Sequence, residues 1–127
     1  MKLAQETTEA TKHDILDKAF ARFGHYGFGK TTMAEIAKDC DMSAGNLYRY
    51  FENKKEIGAG CARRCMQQKL ELVREIVRNK KLNPSKKLQR FTLDILDYMH
   101  QQFADQPALM ELVDFISRER WDIVQQY

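Results

Sequence analysis

Proline is almost absent, with two residues in 127, and glycine contributes only six. That scarcity excludes collagen-like and proline-rich disordered chains and argues against an all-β architecture with its many tight turns. No apolar run approaches the roughly 20 residues needed to span a bilayer. The N-terminal stretch MKLAQETTEATKHD lacks the apolar centre of a secretory signal. Cysteine occurs three times, an odd and widely spaced set that suits a reducing compartment and not a disulfide framework. A cytoplasmic protein with no membrane partner is therefore expected. Also missing are paired carboxylates on a recognisable scaffold, a nucleophile with an evident base, and a cofactor loop, so an enzyme is not expected and no cofactor is implied. Gly24 to Gly29 is glycine-rich, but no strand precedes it and it lacks the GxxxxGK[ST] spacing of a phosphate cradle.

What is present is apolar residue at helical spacing, 43% of the chain, and charge in blocks. The net charge of +3 conceals a segregation. Residues 1–60 carry nine Lys/Arg and nine Asp/Glu, residues 61–90 carry ten against two, and residues 91–127 carry two against seven. The basic middle could raise the long-range potential toward a polyanion, although a solvated helix face explains most such charges equally well.

The most informative stretch is Thr31 to Glu56. Thr32-Met33-Ala34-Glu35 has the form of a capping box and should open a helix. Met33, Ile36, Ala37 and Cys40 then share a face, and Asp41-Met42-Ser43 interrupts the run with a turn-prone residue and a second N-cap. A second short helix should begin near Ala44. Leu47 and Phe51 form its inward pair and Ala44, Gly45, Asn46, Tyr48, Arg49 and Tyr50 its outward surface. Asn53-Lys54-Lys55-Glu56 repeats the cap pattern and starts a third helix. Two short helices joined by a tight turn, the second rich in groups that bond bases and phosphates, is the helix-turn-helix arrangement.

Thr32, Glu35, Ile36, Ala37, Ser43, Gly45, Leu47, Tyr48, Tyr50, Phe51, Asn53, Lys54 and Ile57 stand in an order and spacing that resembles the DNA-binding signature of the TetR family of transcriptional regulators. The resemblance is strong over residues 13–60. It departs at Asp41, where the family usually has glycine; the position should need a left-handed backbone, which aspartate tolerates better than most residues. The resemblance implies double-stranded operator DNA as partner, a homodimer in the full-length protein, and a small-molecule effector. By resemblance and position, Ala44, Asn46 and Arg49 are the base-reading candidates. Lys30, Thr32, Tyr48, Tyr50 and Lys54 are the phosphate-binding candidates, and Gly45 should permit close approach to DNA.

The remaining chain reads as helix. Residues 1–10 are polar and unpatterned, an expected mobile arm. From about Thr11, Ile15, Leu16, Ala19, Phe20 and Phe23 mark a helix that Gly24 should stop, with Tyr26 and Phe28 plugging the head's core. From Asn53 a long helix should run to about Lys81, its Gly58, Ala59 and Gly60 either weakening it or admitting a close neighbour. Pro84 and Pro107 open two further helices, and no stop precedes Tyr127, so a shortened C-terminal domain is expected. The reading is all-α: a helix-turn-helix DNA-binding head over 11–56, joined by a long helix to a partial helical effector-binding and dimerisation domain over 57–127. Met99, Phe103, Met110, Phe115 and Trp121 could line an effector pocket or form ordinary core. Cys61 and Cys65, four apart, are small packing residues or a thiol-based redox or metal sensor with His100. No metal site is assigned. A helical protein-interaction module without DNA binding would show the same core stripes.

Overall fold

A computed structural model describes residues 2–127, and the described residues contain helices and turns only. Seven α-helices follow in order: α1 Lys2–Tyr26, α2 Met33–Asp39, α3 Ala44–Tyr48, α4 Lys54–Arg78, α5 Pro84–Phe103, α6 Met110–Glu119 and α7 Trp121–Gln125. A single 3-10 turn, Pro107–Leu109, leads into α6. The all-α expectation holds. No helix among the described residues is long and apolar enough to cross a membrane.

The local signals act where the sequence places them. Asn53 caps α4 by accepting from Glu56 N at 3.0 Å, and Asn83 caps α5 by accepting from Lys86 N at 2.8 Å, with Pro84 in the first turn. Each side-chain oxygen satisfies an amide that the helix itself leaves unpaired.

Three boundaries differ from the sequence reading. Helix α1 begins at Lys2, so residues 2–10 of the expected arm are an exposed helical extension; Met1 lies outside the described residues. The helix also passes through Gly24 and ends at Gly27, whose φ of +93° and 2.9 Å bond from its amide to Phe23 O make the left-handed C-terminal cap. Finally, Arg120, with φ −131° and ψ 42°, breaks the last predicted helix into α6 and α7. Its guanidinium bonds Glu56 at 2.9 Å, tying that break to the start of α4.

One core runs through the molecule. Ile15, Ala19 and Phe23 of α1, Ile36 of α2, Leu47 of α3 and Ile57 of α4 are fully buried together. The same core continues into Leu109, Leu112, Phe115, Ile116 and Ile123. Tyr26, expected as a core plug, is instead exposed and meets His25 edge to face, while Phe28 is buried against Phe23 with ring centroids 5.1 Å apart. Gly58 settles its own alternatives: a methyl group there would meet Phe28 and Leu112 at 3.0 and 3.1 Å, so its role is close packing. Helix α5 has no buried residue; it lies against α4 and leaves Leu88, Leu93 and Leu96 exposed.

Candidate nucleic-acid interface

The second helix of the head is set by three local devices. Glu35 N donates to Thr32 Oγ1 at 3.2 Å while Thr32 N donates to Glu35 Oε1 at 3.1 Å, the reciprocal pair of a capping box. Asp41 then takes φ +54°, and Met42 N reaches back to Ala37 O at 3.0 Å, which closes α2 and turns the chain. Ser43 Oγ accepts from Asn46 N at 3.1 Å and starts α3. The turn departs from the glycine rule at Asp41 and still reaches the left-handed conformation, at the modest cost such a residue carries.

Across the head, Arg22 of α1 holds α2 in place. Its guanidinium donates to Asp39 Oδ1 at 2.9 Å and to Glu35 Oε2 at 2.8 Å. The pairing with Asp39 holds that carboxyl below its ordinary value, against the opposing effect of burial. Sequence reading missed this network, since partners 13 and 17 positions apart leave no periodic signal.

Helix α3 buries Leu47 and turns the rest outward. Gly45, Tyr48 and Arg49 are exposed, and Ala44 and Asn46 are partly exposed beside them. Arg49 is the C-cap and not a mid-helix residue, because α3 is only five residues long and its end tightens through Tyr50 N to Leu47 O at 3.0 Å. A methyl group at Gly45 would meet only Ser43 Oγ, at 4.0 Å, so nothing inside the chain demands glycine there. Of the three base-reading candidates, Arg49 is thus exposed and Ala44 and Asn46 partly so, the Asn46 side-chain amide donating to Met42 Sδ at 3.8 Å.

The phosphate candidates divide. Lys30 and Tyr48 are exposed. The Thr32 hydroxyl is taken by its cap, since it also donates to Glu35 Oε1 at 2.8 Å. Tyr50 is half-buried against the core, as is Phe51. Lys54 is turned inward: Nζ donates to Phe28 O at 2.7 Å and lies 4.5 Å from the Phe28 ring centroid. Burial lowers its pKa from the ordinary lysine value.

Behind the head, α6 grips the turn between α1 and α2. Phe115 stacks on Phe28 with centroids 4.7 Å apart, and Gly29 N donates to Glu111 Oε2 at 3.1 Å. The opposite side of α6 closes a cavity of about 300 Å³. Of the five proposed pocket residues, Met99, Phe103 and Met110 line it. Phe115 does not, because it belongs to the junction with the head, and Trp121 is exposed on α7 outside the lining. Cys61 is buried with its thiol donating to Leu16 O, and burial pushes it up to about 12, the reverse of what a sensing thiolate needs.

The family model described as bacterial regulatory proteins, tetR family, matches residues 15–59, which enclose the Arg22 clamp, both caps and α3. This head belongs to the TetR family. The TetR head is 34% identical over 47 residues to a probable acrEF/envCD operon repressor of Escherichia coli K12, covering 37% of this chain and 21% of that protein. It is 35% identical over 49 residues to the HTH-type transcriptional regulator HbdR of an Aromatoleum strain, covering 39% of this chain and 21% of that protein. The matched segment thus spans about one fifth of each relative. Beyond the TetR head, the fold follows a solved TetR-family regulator from Haemophilus influenzae, with a TM-score of 0.62 over 91% of this chain and 62% of that one, at 16% identity. The names of both curated relatives describe regulators of transcription.

Proposed function

We propose that this chain binds operator DNA sequence-specifically as a cytoplasmic, ligand-responsive repressor. The observation that carries this is α3: a capped helix whose only buried side chain is Leu47 and whose outer edge offers Asn46, Arg49 and Tyr48 around an unhindered Gly45. A major groove admits one such helix and three or four of its side chains. Asn46 is assigned to adenine, Arg49 to guanine, and Ala44 to an apolar contact with the thymine methyl group. Lys30 and Tyr48 take phosphate oxygens, with Tyr50 contributing at the rim, while Thr32, whose amide and hydroxyl both donate to Glu35, holds the cap. Lys54, from its seat on Phe28, acts by fixing the head rather than by reaching the backbone.

Residues 1–60, which contain the head, carry no net charge, so affinity depends on a few placed contacts and on two heads acting together. A homodimer would set its two α3 helices in successive major grooves, about 34 Å apart, on a near-palindromic site. An effector in the cavity beneath α6 would favour one spacing of the heads over another, which is differential affinity for two states. Selection of bound sites from a random duplex library tests the reading. Recovery of a palindromic motif supports it; retention of no sequence over background, with the protein folded, overturns it and favours a protein-interaction module.

A further inference from the structure

The cavity under α6 has a chemical bias. It is walled by Phe20, Phe103, Met66, Met99 and Met110, aromatic and thioether groups that together accommodate a flat or flexible apolar body. No acidic side chain lines it, and among the described residues Lys69 of α4 is the only charged side chain that does. Among the described residues Lys69 enters no hydrogen bond or ion pair; its Nζ lies 5.9 Å from the ring centroid of Tyr98, which stands just outside the lining, so its ammonium is at the cavity's edge. The other polar side-chain atoms of the wall are few. Cys61 is spent on Leu16 O, and Cys65 and Ser117 carry no formal charge. At about 300 Å³ the space lies at the small end of ligand sites.

We infer that this cavity binds a small apolar monocarboxylate, its body between α4, α5 and α6 and its carboxylate toward Lys69. The inference deepens the ligand-responsive reading and rests on it only for the consequence at DNA. The same wall disfavours a cation. An ammonium head would meet Lys69 and find no carboxylate to replace its hydration, whereas a carboxylate exchanges water for an otherwise unpaired cation. Ligand binding would also be felt at the head. Met110, Val113 and Ile116 line the cavity from the helix whose Glu111 and Phe115 hold Gly29 and Phe28.

Calorimetric titration of the full chain with 4-phenylbutyrate, 4-phenylbutan-1-ol and 4-phenylbutylamine varies the head group at constant body. The acid should bind at least about ten-fold more tightly than the amine, a difference of about 1.4 kcal/mol. Lys69→Gln should bring the acid down to the alcohol, and Lys69→Glu should reverse the order of acid and amine. Val113→Trp, which fills the space from a partly exposed position, should remove acid binding while the melting temperature holds. Absence of acid binding, equal binding of acid and amine, or indifference of the acid to Lys69→Gln would each overturn the assignment. Because the titration contains no DNA, failure of the library selection with acid binding intact would sink the regulator reading alone.

Discussion

Glu111 Oε2 accepts the Gly29 amide at 3.1 Å across 82 positions of sequence, the contact that joins α6 to the first turn of the DNA-binding head. The turn is held from two sides, since Lys54 Nζ binds the neighbouring Phe28 carbonyl at 2.7 Å. Gly27 completes the seat: its φ of +93° suits glycine, and a methyl group there would come within 2.3 Å of the Glu111 carboxylate.

Removal of the Glu111 carboxylate should therefore loosen the head without unfolding it. Glu111→Ala is expected to cost about 1 kcal/mol, the net value of one hydrogen bond, and to speed hydrogen exchange at the Gly29 amide. Glu111→Gln keeps an acceptor and should cost less. Unchanged exchange at Gly29 in the alanine variant would show that the contact does not hold the turn.

The base and phosphate assignments separate by how losses distribute over DNA sequences. Arg49→Ala should cost about 1 to 3 kcal/mol on the selected operator and relax preference at one base pair. Lys30→Ala should weaken binding to every duplex alike and reduce the slope of log affinity against log salt by about one. Equal losses on operator and random duplex for Arg49→Ala would move Arg49 to the phosphate set.

Lys54 tests whether position alone assigns a phosphate ligand. Its ammonium is held by the Phe28 carbonyl and ring, so Lys54→Ala should lower the unfolding free energy read from urea titration by about 1 to 2 kcal/mol, for a hydrogen bond and a cation–π contact. A variant as stable as the parent but with a flattened salt dependence would return Lys54 to the DNA backbone.

The clamp between Arg22 and Asp39 should appear in acid. Asp39 sits below its ordinary 3.8, chiefly through the hydrogen bond from Arg22. The unfolded chain thus takes up its proton first as pH falls. The stabilisation is complete above 3.8 and is lost as pH drops through the lower folded value. Asp39→Asn should cost about 1 to 3 kcal/mol at pH 7, and the gap to the parent should close below that window. A gap of constant size across the titration would rule out the ion pair as its source.

Asp41 marks a place where the chain carries a small strain. At φ +54° an aspartate is tolerated and a β-branched residue is not. Asp41→Gly should leave thermal stability unchanged or raise it slightly, whereas Asp41→Val should lower it by about 1 to 2 kcal/mol. Equal melting temperatures for the two variants would mean that the turn relaxes to another conformation.

Much of this molecule was legible in the residues. Thr32 with Glu35, Ser43, Asn53 and Asn83 each satisfy an amide within three positions of themselves, so their caps follow from local sequence wherever the helix sits. Leu47, Ile36 and Ile57 point inward because each falls on the apolar face that helical period marks on its own helix. The outward edge of Asn46, Tyr48 and Arg49 is the complement of that face. What the helices meet was another matter. That Lys54 turns to Phe28, that Phe115 serves the head and not the cavity, that Trp121 lies outside it, and that Glu111 holds Gly29 depend on how α4 and α6 pack around one turn. A cap is decided by neighbours in the chain and a clamp by neighbours in space, and only the folded packing of separate helices brings residues tens of positions apart within bonding distance.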